Sequence, residues 1–186
     1  MKRISKGLAA AVLTATLTLP ATGFAAGGGS GGGSDTPTCS NGKVYDKATK
    51  KCVSKSSLND QESIFEAGRA LAYAGEYGEA IDLLSRAPDQ QDERVLNMLG
   101  YSHRKLGMID TGIAYYKHSI AVAPKYALVR EYYGEALLQK GDLAGAHNQL
   151  QAIRNICEGE DCESYQMLLA AIESHGGGKV PPRRIW

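Results

Sequence analysis

The chain has 186 residues, 43% of them apolar, with 21 Lys and Arg against 20 Asp and Glu. That length fits one domain of ordinary size plus an appendage. A near-neutral balance with scattered basic residues excludes the strongly basic character of a nucleic-acid binder.

Residues 1–25 read as a secretory signal peptide. Lys2, Arg3 and Lys6 form a positive start, residues 8–19 an apolar run, and Gly23, Phe24 and Ala25 a small-x-small cleavage site. The apolar run is shorter than the ~20 residues that span a bilayer, and no second one follows, so no membrane insertion is expected after cleavage. Removing three basic residues and no acid leaves 18 basic against 20 acidic, a formal net charge of −2. Residues 26–38 form a Gly/Ser-rich flexible linker, either a native spacer or an introduced one.

Residues 39–55 contain Cys39 and Cys52, with Asn41-Gly42 as a tight turn and Val44-Tyr45 as a short extended piece. In an exported chain these two cysteines are expected to pair, closing a hairpin too small to have its own core. Lys43, Lys47, Lys50 and Lys51 give it a positive face.

From residue 58 the pattern is helical and repeats. Gly75, Gly107 and Gly141 each stand between two amphipathic segments, 32 and then 34 residues apart, with Pro88 ending the first unit early. A glycine recurs seven positions before each (Gly68, Gly100, Gly134), where the helices of one repeat come too close for a long side chain. A small residue recurs five positions after (Ala80, Gly112, Ala146). Leu71, Leu99 and Leu137 fall on the apolar stripe, and Pro124 closes the middle unit.

With these positions in phase, residues 60–156 resemble the tetratricopeptide repeat (TPR) family. The implied fold is all-α: a helix-turn-helix solenoid over residues 58–175, with repeats at about 61–88, 93–126 and 127–156. A capping helix is expected at 163–174, burying Tyr165, Leu168, Leu169 and Ile172. Cys157 and Cys162 are expected to form a disulfide that holds this cap; a metal reading of their spacing lacks a second ligand pair. Residues 176–186 form a flexible basic tail.

The resemblance implies a non-enzymatic binding module with no cofactor, whose first helices present a concave groove to a peptide or partner helix. By repeat position the groove residues are Phe65, Arg69 and Tyr73 from the first repeat, and Arg94, Asn97, Tyr101 and Arg104 from the second. The third contributes Glu131, Glu135 and Leu138. Chaperone-binding members clamp a carboxylate with lysine, asparagine and arginine, and Glu131 and Glu135 depart from that pattern. A groove basic and aromatic at one end and acidic at the other suits an amphipathic or mixed-charge segment.

Arg104 and Lys105 lie on a solvated face or on the groove wall, so Arg104→Glu is expected to leave folding intact. Tyr116 and Tyr133 are expected in the core, and His103 is expected to be a packed helix residue rather than a base. His118, His147 and His175 have no ligand spacing, and no catalytic set is evident. The bacterial-style signal and the habits of the family point to the periplasm, with secretion beyond it as the other destination. A small-ligand carrier and a self-associating structural envelope protein are the competing functions. A homodimer through the open end of the solenoid fits the same pattern.

Overall fold

A computed structural model describes residue 37 and residues 39–175. The signal segment, most of the Gly/Ser linker and the basic tail lie outside the described residues.

Seven helices occur among the described residues: α1 (Gln61–Tyr73), α2 (Tyr77–Leu84), α3 (Glu93–Lys105), α4 (Ile109–Val122), α5 (Ala127–Gln139), α6 (Leu143–Ile156) and α7 (Glu163–His175). Asp60, Asp92 and Asp142 start α1, α3 and α6 by accepting hydrogen bonds from the otherwise orphaned backbone N–H groups of Ser63, of Arg94 and Val95, and of Gly145. The turn glycines have φ values of +88°, +84° and +79°. After each, the next residue's N–H bonds back five positions: Glu76 to Leu71 (2.9 Å), Met108 to His103 (3.0 Å) and Asp142 to Leu137 (2.9 Å). This is the left-handed helix ending that favours glycine, and it stands at the same point in all three repeats.

Helices pair within repeats as α1 with α2, α3 with α4, and α5 with α6, and each pair stacks on the next. The small residues mark where backbones meet. A Cβ at Gly68 would come 2.5 Å from Leu84, and one at Gly100 would come 2.6 Å from the Tyr116 ring and 3.0 Å from the Gly112 carbonyl oxygen. At the third glycine the nearest atoms belong to another helix: a Cβ at Gly134 would come 2.6 Å from Leu168 of α7. Leu168 lies 34 residues after Gly134, the same step as from Gly100 to Gly134, so α7 occupies the place of the first helix of a fourth repeat. It packs on both α5 and α6, buries Tyr165, Leu168 and Ile172, leaves Leu169 partly buried, and follows the Cys157–Cys162 disulfide.

The N-terminal hairpin pairs β1 (Val44–Asp46) antiparallel with β2 (Lys51–Val53), and Cys39–Cys52 closes it. Asn41 and Gly42, both at positive φ, form a turn that leads into β1, whereas residues 47–50 join the strands. The hairpin is seated on the first repeat. Val44 and Leu58 are buried in the common core, the Ser63 hydroxyl donates to buried Asp46 at 2.8 Å, and Arg86 donates to the Leu58 carbonyl at 3.1 Å. A Lys55–Glu79 ion pair adds to the seat. The first repeat thus has its apolar flank covered, as the end of a repeat stack requires.

Candidate partner-binding surface

The first helices of successive repeats lie side by side, so residues of adjacent repeats become neighbours. In α1 and α3 this brings together Tyr73 and Tyr101, whose rings meet edge to face at 5.7 Å. Tyr77, the first residue of α2, meets Tyr101 at 6.2 Å. Tyr132 of α5 lies 5.1 Å from Tyr101 and 6.4 Å from Tyr116, and its hydroxyl shares a 3.0 Å hydrogen bond with that of Tyr73. Tyr73, Tyr77 and Tyr101 are half-buried and reach solvent, whereas Tyr116 and Tyr132 are fully enclosed. Tyrosine suits this boundary because a large apolar ring carries a hydrogen-bonding tip.

Burial, reinforced by Tyr77, pushes the Tyr101 phenol up to about 12. Burial likewise raises Tyr126 to about 12, even though Asn97 donates to its hydroxyl at 3.4 Å, and raises Tyr116 and Tyr132 further. These rings are neutral donors and acceptors at physiological pH.

Arg104 stands under this row and corrects the expectation of a solvated or groove-wall residue. It is 4% exposed. Its guanidinium donates to Glu135 at 2.6 Å and to the Tyr116 hydroxyl at 3.2 Å, and it lies 5.7 Å from the Tyr101 ring centroid and 6.0 Å from that of Tyr132. Burial alone would make it less basic; Tyr116 and Glu135 outweigh that and hold it cationic. The physical reason for the burial is the partner one repeat away: Glu135 on α5 neutralises the charge, and the tyrosines solvate what remains. Arg104→Glu would place a second carboxylate against Glu135, so folding would not survive it intact.

The other arginines form a separate cluster. Arg94 lies 4.5 Å over the Phe65 ring and pairs with Asp92 (2.8 Å) and Glu62 (3.0 Å); Arg69 lies 5.8 Å from the same ring and pairs with Glu66 (2.6 Å). Burial works to raise the Asp92 carboxyl, but hydrogen bonds from Arg94 and Gln61 outweigh it and bring it down to about 2. Asn97 and Glu131 are 0% exposed and Leu138 is 6% exposed, so these three lie between helices and not on an open wall.

Tyr77, outside the sequence-derived set, belongs to the exposed row, as does Lys105, which the sequence placed on a solvated face or on the groove wall. Tyr77 carries no mark in sequence beyond its place two residues after a turn glycine. Lys105 is exposed, lies 5.5 Å over Tyr101, and makes no ion pair among the described residues. The Tyr132-Tyr133 pair resolves against the expectation: Tyr132 is the enclosed member, because its side of α5 faces α3 and α4, and Tyr133 is only partly buried. Tyr116 is enclosed as expected. His103 stacks on Tyr115 at 5.3 Å, with burial lowering its pKa.

Among solved structures, the type III secretion translocator chaperone SycD of Yersinia enterocolitica superposes with a TM-score of 0.55 at 22% identity, covering 67% of this chain and 86% of that one. The Sgt2 TPR domain of Aspergillus fumigatus superposes at 0.50 and 22% identity, over 66% of this chain and 85% of that one. The fold is that of the tetratricopeptide repeat. PcrH, solved in complex with the chaperone-binding region of PopB, shares this TPR fold at a TM-score of 0.52 and 20% identity, over 62% of this chain and 93% of that one. No protein-family model matches the chain, and no curated protein matches it.

Proposed function

We propose that this TPR chain is a non-enzymatic protein-interaction module of the periplasm, which binds a peptide or partner helix across α1, α2 and α3. The observation that carries the reading is the half-exposed row of Tyr73, Tyr77 and Tyr101 ending at Lys105, which has no ion-pair partner among the described residues, a surface that crosses from the first repeat to the second. Similar folds support it: SycD has been solved with a peptide of the translocator YopD, and PcrH with a region of PopB. The signal-like segment and two disulfides support an oxidising compartment.

The partner that fits is an amphipathic segment whose apolar side lies on the tyrosines and whose acid meets Lys105. The test is affinity capture from an envelope extract by residues 26–186, beside a Tyr77→Ser/Lys105→Glu variant of matched melting temperature. A polypeptide held by the wild type and lost by the variant supports this surface. Equal capture by both removes it, and a bound small molecule in native mass spectrometry would favour a carrier.

A further inference from the structure

The two ends of the repeat stack carry opposite charge. Residues 39–55 hold five lysines and one acid, a net of +4, whereas residues 141–175 hold six carboxylates and one arginine, a net of −5. At the first end Lys55 is engaged with Glu79 and Asp46 with Ser63 and Thr49. Lys43, Lys47, Lys50 and Lys51 are all exposed and make no ion pair among the described residues. At the other end Glu158, Glu160 and Asp161 are exposed on the loop closed by Cys157–Cys162, and Glu173 is exposed on α7. Among the described residues, Glu160 alone of these four meets a cation, exposed Arg154 at 3.3 Å.

Each surface includes a loop closed by a disulfide, which lowers the ordering entropy lost when they dock. They also lie at opposite ends of the stack: the hairpin sits on α1, and α7 occupies the first-helix place of a fourth repeat whose second helix is absent among the described residues. We propose that the chain associates head to tail with a second copy, the lysine face of one hairpin seating on the carboxylates at residues 158–173 of the next. Such a contact joins two different surfaces and so builds chains or rings of copies, not an isologous two-fold dimer. Lys179, Arg183 and Arg184 follow the acidic end in sequence and reduce it to six carboxylates against four basic residues over 141–186. The attraction is therefore modest, and it acts at low ionic strength.

The test uses residues 26–186, which contain the whole described fold, in sedimentation equilibrium at about 20 mM and about 300 mM salt. One variant reverses the hairpin (K43E/K47E/K51E) and another the far end (E160K/D161K/E173K). Lys50 and Glu158 are left alone because both hold positive φ. The wild type should rise at least twofold in weight-average mass with concentration at low salt and return to the single-chain mass at high salt. Each variant alone, with an unchanged helical melt, should stay at single-chain mass, and an equimolar mixture should regain association because opposite charges then face each other. A wild type that stays monomeric at low salt, a variant that assembles alone, or a silent mixture would overturn the proposal. Flotation of monomeric wild type with anionic lipid vesicles would likewise overturn it in favour of a lipid-facing hairpin.

Discussion

The ion pair beneath the tyrosine row allows a quantitative test, because its two members differ in access to water. The Arg104 side chain is 2% exposed and that of Glu135 23%. Glu135→Ala strands a 2%-exposed guanidinium that keeps its hydrogen bond to the Tyr116 hydroxyl, and breaking a buried pair in this way costs about 3–5 kcal/mol. Arg104→Met keeps most of the side-chain volume and leaves a carboxylate that borders solvent, so it should cost only about 1–2 kcal/mol. The double variant Arg104→Met/Glu135→Leu removes both charges and should lie near the wild type. With a urea slope of about 2 kcal/mol per molar, Glu135→Ala should lower the unfolding midpoint by about 1.5–2.5 M, read by circular dichroism and tyrosine fluorescence together. A midpoint shift under about 0.5 M for Glu135→Ala, or a double variant worse than either single one, would show that Arg104 is not held as a buried charge.

Gly100→Ala would press a methyl group into the Tyr116 ring and the Gly112 carbonyl and should cost about 1–3 kcal/mol; Gly134→Ala should cost less, since the branched end of Leu168 can turn away, and thermal melts of the two compare them. Burial raises Tyr101, Tyr116, Tyr126 and Tyr132 above the ordinary phenol value of about 10. Their neutral forms therefore contribute stability that is complete below pH ~10 and is lost as pH rises toward 12 and beyond. A phenolate absorbance titration should show these four ionising only with unfolding, and free ionisation at pH ~11 would contradict their burial. Cys39→Ser/Cys52→Ser opens a loop with a sequence separation of 13 and should cost about 3 kcal/mol, with hydrogen exchange rising first around Ser63, whose hydroxyl donates to Asp46 of the hairpin.

The repeat was legible because its glycines answer to backbone constraints that leave little choice of residue. Positive φ at Gly75, Gly107 and Gly141 and the close approaches at Gly68 and Gly100 recur wherever the same turn and crossing recur. Contacts between repeats left no such trace. Whether Arg104 faces water or Glu135 depends on a carboxylate 31 residues away on another helix, and neighbouring Tyr132 and Tyr133 differ by about 100° around α5, so only the position of α3 and α4 decides which is enclosed. The same packing closes over Asn97 and Glu131, which repeat position alone placed on an open wall. The docking of the hairpin rests on Asp46 meeting Ser63, two ordinary polar residues whose pairing no local pattern announces.

These internal pairings bear on what can bind. Arg69, Arg94 and Arg104 each carry a carboxylate from this chain, so the basic end expected of the groove is largely neutralised before a partner arrives. What remains is tyrosine surface and one lysine, and binding there should draw mainly on aromatic burial and hydroxyl hydrogen bonds. Such binding weakens little with salt, whereas contact between the lysine hairpin and the far carboxylates should vanish within a few hundred millimolar because exposed charges are screened over about 8–10 Å. Partner capture that persists at about 0.5 M salt, where the wild type sediments as single chains, would separate the two surfaces. Loss of capture together with self-association would mean that the partner reads the charged ends and not the tyrosine row.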